Sequence, residues 1–234
     1  MKIAVCLSGH LRSFQKTTPS LYSFLLRNLD YDIFIHTWDT LGYHNNWRPD
    51  HNFYINNYTH SNLNLIQNIL KPKQIIIQSQ KELESFKKEA ETKVKFYIAP
   101  DIPKHPGHMF AMFYKIWACN ELRKQYERDH NIQYDLIIRT RPDLQFLSLL
   151  NTQELLDSKK YLYVPEIEGY GGINDQFAFG SGHLIDYYCG MYNHLSRYFS
   201  EGGDFRPEIF VKWHLETIKV PYKLSKIKYF INRS

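Results

Sequence analysis

Two arginines and an aspartate fall within five residues at the end of one apolar run, Tyr134-Asp135-Leu136-Ile137-Ile138-Arg139-Thr140-Arg141-Pro142-Asp143. Charged side chains are costly to bury unless they are paired. The group therefore either closes the strand end as an Arg–Asp network or holds a ligand. As a ligand site, its guanidinium forks suit a diphosphate, and Asp143 is a candidate ligand for a divalent cation, Mn2+ or Mg2+. Ser8-Gly9-His10-Leu11-Arg12 follows another apolar run. There Gly9 lets the backbone approach a ligand closely, and Arg12 offers a further grip on phosphate. The segment has neither GxxxxGK[ST] nor GxGxxG spacing, so an ordinary strand-to-helix turn is the plain alternative. His36-Thr37-Trp38-Asp39 ends a third run, where an acid such as Asp39 can hydrogen-bond a ribose or base. Gly169-Tyr170-Gly171-Gly172-Ile173-Asn174-Asp175-Gln176 offers Asp175 as a general base. Asn-Asp is equally a common turn pair.

These residues need a scaffold, and the hydrophobic pattern supplies one. Strands are expected over Lys2–Leu7, Tyr31–Thr37, Gln74–Ile77 and Tyr134–Arg139. Helices are expected from Thr18-Pro19 through Leu29, over Asn62–Leu70 and Gln80–Val94, and over Met109–Arg128. The alternation predicts an α/β fold with a mostly parallel central sheet flanked by helices. Beyond residue 139 the pattern is mixed, with short strands at Tyr161–Val164 and Phe177–Phe179 and helices at His183–Tyr198 and Pro207–Ile218. In such a sheet, ligands bind beyond the carboxyl ends of the strands. All four polar segments fall there. The literal DxD, Asp30-Tyr31-Asp32, falls at the opposite end and reads as a strand opening.

Composition removes several function classes. The chain has 234 residues, 43% hydrophobic and 16% aromatic, which excludes a disordered chain. No run approaches the roughly 20 apolar residues that span a bilayer. The run Ile3–Leu7 is too short for a secretory signal, so a soluble, cytoplasmic protein is expected. The net charge of +5 sits in residues 219–234, with five basic residues and no acid, and the remainder is balanced. A balanced body argues against a nucleic-acid partner, which would need a basic face. That tail alternates lysines with apolar residues, so it is either a final strand or a peripheral contact with an anionic membrane. Cys6, Cys119 and Cys189 lack CxxC spacing and read as buried thiols in a reducing compartment. The Asn57-Tyr58-Thr59 and Asn232-Arg233-Ser234 sequons read as chance matches, and His105 and His108 as loop histidines. No GxSxG or HExxH occurs, so hydrolase chemistry has no support.

The ordered set Ile3–Arg12, Asp32–Trp38, Met109-Phe110 with Phe113–Ile116, Arg139–Asp143 and Asn174–Gly180 resembles one family. It is similar to the GT-A-fold glycosyltransferases of bacterial lipopolysaccharide and capsule synthesis (WavE-like proteins), which have relatives in large DNA viruses. The resemblance spans most of residues 1–218. It implies a single GT-A-like domain with a nucleotide-binding half, 1–143, and an acceptor-side half, 144–218, followed by a basic tail, 219–234. It also implies a nucleotide-sugar donor and a glycan or lipid-linked saccharide acceptor in surface polysaccharide synthesis. The implied setting is the cytoplasm, at the inner membrane face or in a host cell. Ser8, Gly9, Arg12, Asp39, Arg139, Arg141 and Asp143 would bind donor, with Asp143 in the place of a metal-binding acid. Asp175 would be the base, and Asn174, Gln176 and Glu208 would lie toward the acceptor. Arg141-Pro142-Asp143 has one carboxylate where DxD has two, so the arginines could replace the cation. His214 could be a late metal ligand, although a helix histidine beside Trp213 reads as structural. A non-catalytic nucleotide- or carbohydrate-binding module is the alternative.

Overall fold

A computed structural model describes residues 1–40, 42, 60–94 and 107–232. Strand β1 (Lys2–Ser8) is apolar on both sides because both faces of its sheet are covered. Ile3, Val5 and Leu7 enter one hydrophobic layer, and Ala4 and Cys6 enter the other. β1 pairs in parallel with β2 (Asp30–Trp38) on one side and β4 (Leu136–Thr140) on the other. β3 (Gln74–Gln78) extends the sheet beyond β2. On the far side of β4 run β7 (Ala178–Gly180), antiparallel to it, then β6 (Leu162–Pro165) and β8 (Tyr222–Ser225). Among the described residues this gives a seven-stranded, mostly parallel sheet of order β3-β2-β1-β4-β7-β6-β8. The strand order reverses between β1 and β4, which opens a crevice at their carboxyl ends.

One face is covered by α1 (Phe14–Ser20), α2 (His60–Leu70) and a two-stranded ribbon of β5 (Leu144–Phe146) and β9 (Tyr229–Ile231). The other carries α3 (Leu83–Lys93), α4 (Gly107–His130), α6 (Gly182–Cys189), α7 (Leu195–Ser200) and α8 (Pro207–Thr217). A short helix, α5 (Thr152–Asp157), is capped by Asn151, whose Oδ1 accepts from the amides of Gln153 and Glu154. No helix among the described residues is long and apolar enough to cross a membrane.

Several elements differ from the sequence expectation: it contains neither β5 nor α5, and the first helix starts earlier. The first helix begins at Phe14, so Pro19 lies inside it, and residues Leu21–Leu26 continue as a π-helix. Pro19 has no amide hydrogen for the helical ladder, and the register widens just after it. Tyr222–Ser225 and Tyr229–Ile231 form strands, as the final-strand alternative for the tail expected. β8 pairs in parallel with β6, and β9 closes the ribbon with β5. The Asn57–Thr59 sequon and His105 lie outside the described residues, as does Arg233.

Candidate functional site

Four chain segments converge at the carboxyl edge of β1, β2 and β4. β1 ends in Ser8 and passes into Gly9, whose φ of +105° is accessible to glycine at little cost. The Gly9 amide donates to the His36 carbonyl at 3.2 Å, tying this turn to β2. Arg12 follows with a left-handed φ of 44° and reaches across to Asp143.

Asp143 is fully buried, yet it is the hub of the site. Its Oδ2 accepts from Arg12 Nη1 at 2.7 Å and Arg141 Nη2 at 2.8 Å, and its Oδ1 accepts from Arg141 Nε at 2.9 Å. Burial would raise the Asp143 pKa, but Arg141 and Arg12 hold it well below the usual carboxylate range. Burial opposes the charge on Arg141, and the Asp143 carboxylate more than compensates. The Arg12 and Arg141 side chains stay 23% and 20% exposed. The carbonyl of Asp143 accepts from the Asn232 amide at 2.8 Å, and the Asn232 carbonyl accepts from Ser13 Oγ. The chain just past β9 therefore clamps the rim of the site.

Arg139 has a different position. It is buried on the α6 side, donates through Nη1 to the Asp175 carbonyl, and reaches Ser8 Oγ at 3.5 Å through Nη2. It pins the 169–176 loop to the end of β1. Asp175 is buried beside this pin and lies within electrostatic reach of Arg141, and its carboxylate accepts no hydrogen bond from the described residues. Around this cluster three guanidinium groups, of Arg12, Arg139 and Arg141, stand against the carboxylates of Asp143 and Asp175.

The loop holding Asp175 is rigidly built. Asn174 Oδ1 accepts from the Gln176 amide at 2.8 Å, and its Nδ2 donates to the Ile167 carbonyl at 2.8 Å. Gln176 Nε2 donates to Glu168 at 2.9 Å. The Ile173 amide donates to the Glu208 carbonyl at 2.9 Å, which seats the loop on the first turn of α8. A Cβ on Gly172 would sit 2.1 Å from that carbonyl oxygen, a backbone atom that cannot swing away. Gly172→Ala is therefore expected to lower stability by about 1–3 kcal/mol, read from urea unfolding.

Asp39 lies at the neighbouring end of β2, where Oδ1 accepts from the Gln80 amide at 2.7 Å and anchors a 3-10 turn after β3. Beside it is a residue that the sequence reading did not assign a role, Lys115 of α4. It is fully buried, donates to the Thr37 carbonyl at 3.0 Å and Gln78 Oε1 at 2.6 Å, and lies 3.6 Å from the Trp38 ring centroid. The available signal was a lysine four residues from both Ala111 and Cys119, on the buried face of α4. Burial lowers its pKa to about 7, against the opposing pull of Glu82 and Asp39. Burial, with Lys115, likewise lowers His36 to about 3. His10 is lowered to about 3 by burial, Arg12 and Lys115. The imidazoles there are neutral at pH 7. Because the unfolded chain keeps Lys115 protonated up to about pH 10.4, the unfolded state binds more protons between pH 7 and 10. The stability contribution of this residue therefore rises with pH across that window. Unfolding free energy measured at pH 7 and 9 is expected to increase in the wild type by more than in Lys115→Met.

A divalent cation does not fit at Asp143. Both carboxylate oxygens already serve guanidinium donors, so an added cation would face Arg12 and Arg141. Among the described residues, no three His, Cys, Asp or Glu side chains gather to hold a metal. Asp32 sits at the far edge, bonded to the Tyr134 hydroxyl at 2.7 Å and paired with Lys2 and Lys73. His214 is buried on α8 with Nε2 on the Tyr187 carbonyl at 2.9 Å. The groups that hold the Asp143 carboxylate are the guanidinium donors of Arg12 and Arg141.

Residues 1–230 match a protein family described as a domain of unknown function (DUF7796), and the chain belongs to that family. No curated protein matches the chain.

Proposed function

We propose that the chain is a nucleotide-sugar-dependent glycosyltransferase of the GT-A type whose donor diphosphate is neutralised by arginines. The observation that carries this reading is the Arg12–Asp143–Arg141 cluster, a buried carboxylate held by two partly exposed arginines at the strand-order reversal between β1 and β4. That crevice is where open α/β sheets bind nucleotides. The motif order that resembles lipopolysaccharide and capsule glycosyltransferases, and the mostly parallel sheet with its mixed second half, support the same assignment.

The chemistry follows from charge. Transfer forms a bond from the acceptor hydroxyl oxygen to the anomeric carbon and breaks the bond from that carbon to the diphosphate. Negative charge grows on the leaving diphosphate, and fixed guanidinium groups stabilise that growth more than they stabilise the ground state. Arg12 and Arg141 face the leaving group in this reading. Arg139 is a positioning residue that holds the Asp175 loop. In an inverting transfer the Asp175 carboxylate takes the acceptor proton. The acceptor is a glycan or lipid-linked saccharide, bordered by Asn174, Gln176 and Glu208.

The test is release of nucleoside diphosphate from a panel of nucleotide sugars, with and without saccharide acceptors. One donor is expected to turn over, and Asp175→Asn is expected to slow it by about 10²–10⁴-fold with donor binding kept. Nucleotide binding without turnover of any donor would replace the transferase with a nucleotide-binding module. Oligosaccharide affinity without any nucleotide requirement would replace it with a carbohydrate-binding one.

A further inference from the structure

The outer face of the β5–β9 ribbon has a composition that ordinary solvent exposure does not explain. From Ser225 to Phe230 burial alternates strictly, with Ser225, Ile227 and Tyr229 inward and Lys226, Lys228 and Phe230 outward. The ladder places Gln145 opposite Phe230, and the Leu147 amide donates to the Lys228 carbonyl at 2.8 Å. The Lys228 amide donates to Ser148 Oγ at 2.9 Å. Leu147 is thereby held beside the lysine stripe, 55% exposed; Leu149, next to the bonded Ser148, is 64% exposed, and Phe230 is 46% exposed. Ile227 and Tyr229 anchor the ribbon in the core, so its outer face is rigid rather than frayed.

Charge identifies the occupant. Lys223 is tied to Asp157 at 3.3 Å, and Glu154 is occupied by Ser225 Oγ and the Lys226 amide. Lys226 and Lys228 pair with no acid among the described residues. Exposed aliphatic and aromatic tips flanked by unpaired lysines match a surface that is apolar below and anionic above. Apolar side chains enter the acyl boundary, and ammonium groups remain at the anionic headgroups on flexible stems.

We propose that this ribbon face docks the protein on an anionic lipid surface, with Leu147, Leu149 and Phe230 inserting and Lys226 and Lys228 meeting the headgroups. The proposal is independent of the transferase reading, since lipid association is measured without donor. The experiment is co-sedimentation of the full chain with phosphatidylcholine vesicles, with or without phosphatidylglycerol. Association is expected only with the anionic vesicles and should fall as salt is raised. Each lysine lost should weaken partitioning about fivefold, so Lys226→Ala with Lys228→Ala should weaken it about 25-fold. Leu149→Ser with Phe230→Ser should weaken it too. All four positions are exposed, and an unchanged melting temperature verifies that these variants fold. Equal binding to neutral vesicles, no binding, or binding indifferent to both double variants would overturn the proposal. So would a concentration-dependent dimer that the same variants abolish in the absence of vesicle binding, which would make the face a contact between copies.

Discussion

Asp143→Ala is expected to lower the unfolding free energy by about 3–5 kcal/mol, one of the largest effects of any single substitution in this chain. The carboxylate is buried and accepts three hydrogen bonds from two guanidinium groups. Removing it leaves Arg12 and Arg141 facing each other across the space it filled. The pH dependence carries the same signature. Asp143 is held well below its unfolded value by Arg141 and Arg12, against the effect of burial. Its contribution is complete above the unfolded pKa of about 3.9 and is lost as pH falls through that value toward the folded one. Urea unfolding of wild type and variant should therefore differ by a constant amount at pH 5–7, and the two curves should converge in acid. A variant as stable as wild type at pH 7 would mean that the three bonds are not formed.

In the proposed transferase, Arg12→Gln is expected to slow turnover of the nucleotide sugar by about 10²–10³-fold, the cost of removing one fixed hydrogen-bond donor from developing charge. Asp143 stays held by both bonds from Arg141, so the fold should lose only about 1.5–3 kcal/mol, the value of one hydrogen bond to a charged group. Glutamine keeps a donor and much of the length but carries no charge, so the loss reports the charge itself. If binding weakened while the rate at saturating donor stayed at the wild-type level, Arg12 would stabilise ground and transition states alike. The substitution adds no new backbone strain, since arginine already occupies the left-handed region there at φ 44° and glutamine has the same unbranched Cβ.

The sheet was legible because β1, β2 and β4 are apolar on both faces, and only a strand covered on both sides reads that way. The ribbon was not. β5 is three residues long, and Leu144 meets Ile231, a partner that no local period points to. Pro19 misled the helix start, because proline is common in a first turn and here lies at the sixth position of α1. At the site, the Arg139–Asp143 run showed charge at the end of a buried strand, yet the pairing of Asp143 with Arg12 across 131 residues depends on β1 and β4 being neighbours. The same run concealed a division of labour. Arg139 and Arg141 are two residues apart, but one pins the Asp175 loop and the other holds Asp143. Lys115 went unassigned because its chemistry comes from β2 and β3, which enclose it, and not from its neighbours on α4.

In the proposed transferase, arginines and not a divalent cation neutralise the donor diphosphate. Calorimetric titration of nucleoside diphosphates into the full chain in EDTA tests it most directly, with Arg12→Gln and Arg141→Gln in parallel. Saturable binding of one diphosphate in EDTA, weakened in each variant and by added salt, is the expected result. Binding that appears only when Mn2+ or Mg2+ is restored, or that is unchanged in both variants, would contradict it.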